Sequence, residues 1–157
     1  MELHFKKYYP IEYPVYQKMD VNYNIIVDMA NEFTTLAKID RNVNLIFCGS
    51  SGCMIATIYF AAIKKVYPDV KINMVYVRKK GEKSHDILHR KVDFAELNIF
   101  VDDHIYHGET IQHVLKIMRK EKMNFMFDYV AVAWITPNSL IKVKLDTHNI
   151  CYSNTIN

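Results

Sequence analysis

Glycine is scarce in this chain. The four present in 157 residues, Gly49, Gly52, Gly81 and Gly108, fall well below the usual share of about 7%. Each lies in a segment that reads as a loop at a strand's C-terminal end, where a ligand's phosphates can approach the backbone. Cysteine is also sparse: Cys48, Cys53 and Cys151 make an odd number without paired zinc-ligand spacing. That argues against a disulfide framework and for a reducing compartment. No apolar run approaches the length of a membrane span, and the opening MELHFKKYYPIEYP lacks the apolar core of a signal peptide, so cytoplasmic residence without a membrane partner is expected. Internal repeats and low-complexity tracts are missing. A strong charge bias is missing too, because a formal net charge of +3 suits a polyanionic small molecule and does not by itself indicate nucleic acid.

Half the residues are apolar or aromatic, and the length fits one domain of the common size, roughly 100–150 residues. Residues 1–19 are rich in Tyr and carry Pro10 and Pro14, which disfavours a regular helix and suggests an extended arm or hairpin. Asp20 reads as the N-cap of an amphipathic helix ending near Lys38. The run VNLIFC (Val43–Cys48) reads as a strand, followed by Gly49-Ser50-Ser51-Gly52 and an apolar helix to about Val66. Strand, glycine turn and helix make a phosphate-type loop. A nucleophile elbow would need its glycines one residue further apart, and a Walker loop would need a lysine after Gly52. KINMVYV (Lys71–Val77) is a second strand, emptying into the charged run Arg78-Lys79-Lys80-Gly81-Glu82-Lys83-Ser84-His85. FDYVAVAWI (Phe127–Ile135) is a later strand, with Trp134 near its end as core or as a platform for a planar base.

The central stretch is LNIFVDDHIYHGETI, Leu97–Ile111. Apolar residues end in the adjacent carboxylates Asp102 and Asp103, a polar turn surrounds Gly108, and an amphipathic helix begins. In an open α/β sheet, ligands bind where strands end and helix N–H groups converge on an anion. Gly108 allows close backbone approach, and Thr110 offers a hydroxyl. Glu109 runs against this chemistry. Like charges about 4 Å apart repel by roughly 4 kcal/mol at an effective dielectric near 20, so its side chain must project away from any bound phosphate, or the loop holds something else.

VDDHIYHGETI resembles the ribose-phosphate signature of type I phosphoribosyltransferases. Asp102, Asp103, Gly108 and Thr110 fall in register, while His107 replaces the first Thr of the family's loop and Glu109 fills its variable position. Tyr106 stands where many purine-specific relatives carry Asp and where the pyrimidine-operon attenuators carry Tyr. The resemblance implies a single-domain α/β fold: an open, mainly parallel sheet with helices on both faces, a core over about 20–136 and a small hood from segments 1–19 and 137–157. It implies that Asp102 and Asp103 hold the ribose and a Mg2+ ion, that His107, Gly108, Glu109 and Thr110 cradle the 5-phosphate, and that Gly49, Ser50, Ser51 and Gly52 bind pyrophosphate. VRKKGEKSH resembles the start of the flap in adenine- and xanthine-type members, with Asp86–Glu96 completing it. Arg78 and Lys79 would then neutralise the leaving group, with Tyr106 beside them in the catalytic set.

The expected activity is therefore Mg2+-dependent transfer of phosphoribose from phosphoribosyl pyrophosphate to a nucleobase, purine slightly ahead, in nucleobase salvage. A non-catalytic binding or regulatory protein of the same fold is the alternative, with Tyr106, His107 and Glu109 as its support. A transition-metal site of His104, His107, His113 and the two aspartates is a third reading. A homodimer is left open.

Overall fold

The computed structural model describes residues 2–4, 15–82, 92–136 and 149–152. Its elements in chain order are β1 (Glu2–His4), a 3-10 turn (Val15–Gln17), α1 (Met19–Leu36), β2 (Val43–Cys48), α2 (Gly49–Val66), β3 (Ile72–Val77), β4 (Leu97–Ile105), α3 (Glu109–Glu121), β5 (Tyr129–Ile135) and β6 (Asn149–Tyr152). The six strands form one sheet in the order β1-β6-β5-β4-β2-β3, and every pairing is parallel. This is the expected single-domain α/β architecture. The termini differ in one respect. Glu2–His4 and Asn149–Tyr152 pair with each other in parallel and extend the main sheet, with β1 at its edge and β6 between β1 and β5. The remainder of the expected hood, 5–14, 137–148 and 153–157, lies outside the described residues.

Period-two alternation sorts the strands between two cores. Leu45, Phe47, Ile99, Val101 and Ala131 face Ile26, Met29 and Phe33 of α1 and Ile55, Tyr59 and Ile63 of α2. Ile46, Val75, Phe100, Val130 and Val132 face Ile111, Val114, Leu115 and Met118 of α3. Strands covered on both faces must be apolar nearly throughout, which is why β2 is buried along its whole length. Helix α1 begins one residue before Asp20, with Lys18 at the N-cap position and no side-chain cap. Asp20 instead sits in the first turn, where its charge favours the helix dipole.

The strands' N-terminal ends are fixed by a ladder of three asparagines in register, Asn73, Asn44 and Asn98. Asn44 is fully buried. Its Nδ2 donates to Asn98 Oδ1 (2.9 Å) and to the Asp93 carbonyl (2.7 Å), and its Oδ1 accepts from Asn73 Nδ2 (3.1 Å). Asn98 N–H donates to Asp128 Oδ2 (2.7 Å), which ties β4 to the start of β5. Buried polar groups contribute little net stability when satisfied and cost much when abandoned. Asn44→Leu strands three partners at once, so we predict a loss of about 2–4 kcal/mol of unfolding free energy in urea titration. A loss under about 0.5 kcal/mol would show that the ladder is dispensable.

Candidate active site

The topology creates one crevice. The chain leaves β2 through α2 toward one sheet edge and leaves β4 through α3 toward the other, so neighbouring strands diverge in their connections at the β2/β4 boundary. Such a switch point is where open α/β sheets bind ligands. Here the pairing of β2 with β4 stops at Ile46 and Phe100. β2 stays paired with β3 up to Cys48, and β4 stays paired with β5 up to Ile105. The gap that opens is floored by Asp102 and Asp103.

Both carboxylates are buried, at 7% and 6% exposure. Asp102 Oδ1 accepts the backbone N–H of Asp103 (2.9 Å) and lies beside Gly52, where a Cβ would stand at ordinary contact distance, 3.9 Å. Burial first, and the neighbouring charge of Asp103 second, raise the Asp102 carboxyl well above its ordinary value, while Lys79 opposes the shift. Asp103 Oδ2 is buried without a hydrogen-bond partner among the described residues. Two adjacent carboxylates with an unused oxygen suit a hard cation such as Mg2+, which takes one or two carboxylates and completes its shell with water and ligand oxygens.

The opposite wall comes from β2, α2 and the turn after β3. A cavity of about 240 Å³ is lined there by Cys48, Ser51 and Lys79, and across from them by residues 102–111. Lys79 reaches this wall because its turn is clamped. Glu82 Oε2 accepts from Tyr76 Oη (2.9 Å) and from the Lys79 N–H (3.1 Å), and Glu82 N–H closes the turn onto the Lys79 carbonyl (3.2 Å). The lysine side chain then lies across Gly49, whose φ is +73° and where any Cβ would collide with Lys79 Cε. The positive φ favours glycine here, while the flexible end of the lysine could shift from a Cβ. Gly49-Ser50-Ser51-Gly52 is the opening turn of α2, rather than a loop preceding it as the sequence suggested. Ser51 borders the cavity, Ser50 does not, and Gly52 lies beneath Asp102.

Gly108, at φ +80°, is the N-cap of α3. It turns the chain so that the first-turn amides of α3, which have no intrahelical acceptor, open on the cavity beside Thr110. Glu109 is exposed and borders the cavity as well. His107 and Tyr106 contribute its outer rim, their rings edge to face at 4.2 Å. Arg78 is not among the lining residues, and its carbonyl is bonded to His113 Nε2 (2.7 Å). Trp134 is half-buried and stacked on His104, with centroids 4.7 Å apart and planes inclined by 29°, and it does not line the cavity. Among the described residues, no group of three His, Cys, Asp or Glu side chains is arranged to hold a metal. The transition-metal reading therefore has no support, and His113 is turned toward the Arg78 carbonyl. The rest of the expected flap, 83–91, lies outside the described residues. Cys48, which sequence reasoning passed over, lines the cavity. Burial and then Asp102 push its thiol up to about 11, so it stays protonated at neutral pH.

Solved structures with the same architecture include several phosphoribosyltransferases. An adenine phosphoribosyltransferase from Thermoanaerobacter pseudethanolicus superposes with a TM-score of 0.62 at 17% identity, covering 91% of this chain and 85% of that one. A phosphoribosyltransferase from Corynebacterium diphtheriae gives 0.63 at 13% identity over 89% and 84%. An orotate phosphoribosyltransferase from Aeropyrum pernix gives 0.60 at 11% identity over 90% and 77%. No protein-family model matches the sequence, and no curated protein does. The chain thus has the phosphoribosyltransferase fold. No helix among the described residues is long and apolar enough to cross a membrane.

A carboxyl raised above its unfolded value favours the protonated folded state, so it costs stability as pH climbs from the unfolded pKa, near 4, through the folded one. Asp102→Asn keeps the acceptor for the Asp103 N–H and removes the ionisation. Its melting temperature should match the wild type at about pH 4 and exceed it by a growing margin toward neutrality. A pH-independent difference would show that Asp102 is not strained by its charge.

Proposed function

We propose that the protein is a Mg2+-dependent phosphoribosyltransferase that moves phosphoribose from phosphoribosyl pyrophosphate to a nucleobase. The observation that carries this reading is the convergence on one cavity of two buried carboxylates, a helix-opening Gly-Glu-Thr loop, and the Ser51 and Lys79 wall. The fold likeness supports it, because the neighbours named for adenine and orotate transfer share the sheet that generates this crevice. For the acceptor, the likeness of the run starting at Arg78 to purine-type members favours a purine.

In this reading the first-turn amides of α3 and Thr110 hold the 5-phosphate, a task suited to a helix N-terminus. Asp102 and Asp103 accept hydrogen bonds from the ribose hydroxyls and would hold the Mg2+, which when bound supplies positive charge to the diphosphate oxygens. Transfer joins a base nitrogen to C1 as the C1–O bond breaks. The bonding pair leaves on pyrophosphate, and the proton of the attacking nitrogen passes to that departing group. Lys79 and the hydroxyl of Ser51 meet the charge gathering on the pyrophosphate, while the carboxylates face the cationic ribose. Such preorganised electrostatics commonly supply the largest part of an enzyme's rate.

The non-catalytic reading draws on one observation, the Glu109 carboxylate at the rim of the cavity. The two readings separate cleanly. If the loop accepts a phosphate, Glu109→Gly changes the affinity for phosphoribosyl pyrophosphate by less than about tenfold, under about 1.4 kcal/mol. A hundredfold gain at matched ionic strength would mean that the native loop repels the phosphate and would favour the binding-protein reading. Asp102→Asn combined with Asp103→Asn should abolish Mg2+-dependent binding while the circular dichroism spectrum is retained. Unchanged calorimetric affinity in that double variant would end the ribose-site assignment.

A further inference from the structure

A second hollow of about 770 Å³ adjoins the first, between the end of β3 and the outer face of α3. Its walls carry Lys79 and Lys80 from the turn after β3, and Gln112, His113, Lys116 and Lys120 from α3. Lys116 and Lys120 are four residues apart and so stack on one helical face. Among the described residues Glu109 is the only acidic one on the lining. Among the described residues the ion pairs involve Lys38, Asp40, Arg41 and Asp128, and none of the four groove lysines. Lys79 is shared with Asp102 across the neighbouring cavity, whereas Lys80, Lys116 and Lys120 form no ion pair among the described residues, and ammonium groups gathered around one groove repel each other and create a positive basin.

The kind of anion follows from the lining. Lysines act as movable point charges suited to phosphate oxygens, and no arginine fork, the bidentate partner of carboxylates and phosphates alike, lines the groove among the described residues. Among the described residues its only ring is the imidazole of His113, bonded through Nε2 to the Arg78 carbonyl, so it offers no Trp, Tyr or Phe platform for successive nucleobases of a single strand. Its volume is roughly three times that of the cavity next door, larger than one phosphate group requires. We propose that this groove is a separate binding site for a linear polyphosphate chain of three or more phosphates, either free or carried by a nucleotide. Lys79, Glu109 and Thr110 border both hollows, so an occupant of the groove shares a wall with the transfer site and is placed to alter its affinity.

Inorganic tripolyphosphate titrated into the full chain by calorimetry at low salt is the direct probe, with Lys116→Ala plus Lys120→Ala as the variant. Both lysines are exposed and belong to no part of the transfer site, so folding is preserved. The double variant should bind tripolyphosphate at least about tenfold more weakly and should bind phosphoribosyl pyrophosphate as the wild type does. Asp102→Asn with Asp103→Asn should leave tripolyphosphate binding intact, which keeps this site testable even if the transferase reading fails. A nucleoside triphosphate that binds as tightly as tripolyphosphate through the same lysines assigns recognition to the chain alone; one that binds more tightly identifies a nucleotide as the carrier. Equal tripolyphosphate affinity in wild type and lysine variant, or no binding by the wild type, overturns the proposal. So would a single-stranded oligonucleotide that displaces tripolyphosphate at lower concentration, since the groove would then be a nucleic-acid surface.

Discussion

Asp102 and Asp103 are buried side by side where β4 loses its partner β2, and much of the surrounding structure answers to that placement. An isolated carboxylate taken out of water costs several kcal/mol, and a second one beside it raises the cost. The protein meets part of this with the Asp103 N–H bonded to Asp102 and with the positive side chain of Lys79 across the gap. The rest is left unanswered in Asp103 Oδ2. A strained pair of this kind, kept at the end of a well-packed strand, is the expected mark of a ligand site rather than of a stabilising core.

The charge layout has the same logic on a larger scale. Carboxylates form the floor of the crevice, the opening of α3 forms one wall, and lysine forms the other. This layout is what the proposed ligand, with a hydroxylated middle and anionic ends, requires. The Glu82 clamp fixes the backbone of the turn after β3 at Lys79, and the absence of a side chain at Gly49 leaves room for the lysine to lie across it.

How much of this could be read from the sequence depended on the range of the interactions involved. The apolar run ending in Asp102-Asp103, the glycine before α3 and the Gly-Ser-Ser-Gly turn are local patterns, and the structure brings Ser51, Lys79, Asp102, Asp103 and residues 107–110 to one cavity. Strand β1 was illegible because three residues carry no periodicity and their partner lies at the other end of the chain. The choice between Arg78 and Lys79 depended on the Glu82 clamp, a hydrogen bond that the basic run conceals. Cys48 could have been found as the last residue of β2 before a glycine. Lys116 and Lys120 could not, because their groove exists only once β3 has been brought against α3. Trp134, near the end of its strand, is open in the sequence between core and base platform, and in the structure its registered neighbour His104 covers one face.

The central claim is transfer chemistry in the crevice, and isotope transfer tests it most directly. Phosphoribosyl pyrophosphate labelled in the ribose is incubated with the protein, Mg2+ and each of a panel of purine and pyrimidine bases in turn. The account predicts a labelled nucleoside monophosphate with at least one base, a purine ahead of the pyrimidines, with one pyrophosphate released per transfer. Saturable binding of phosphoribosyl pyrophosphate without transfer to any base would contradict it and leave a binding protein built on the same fold.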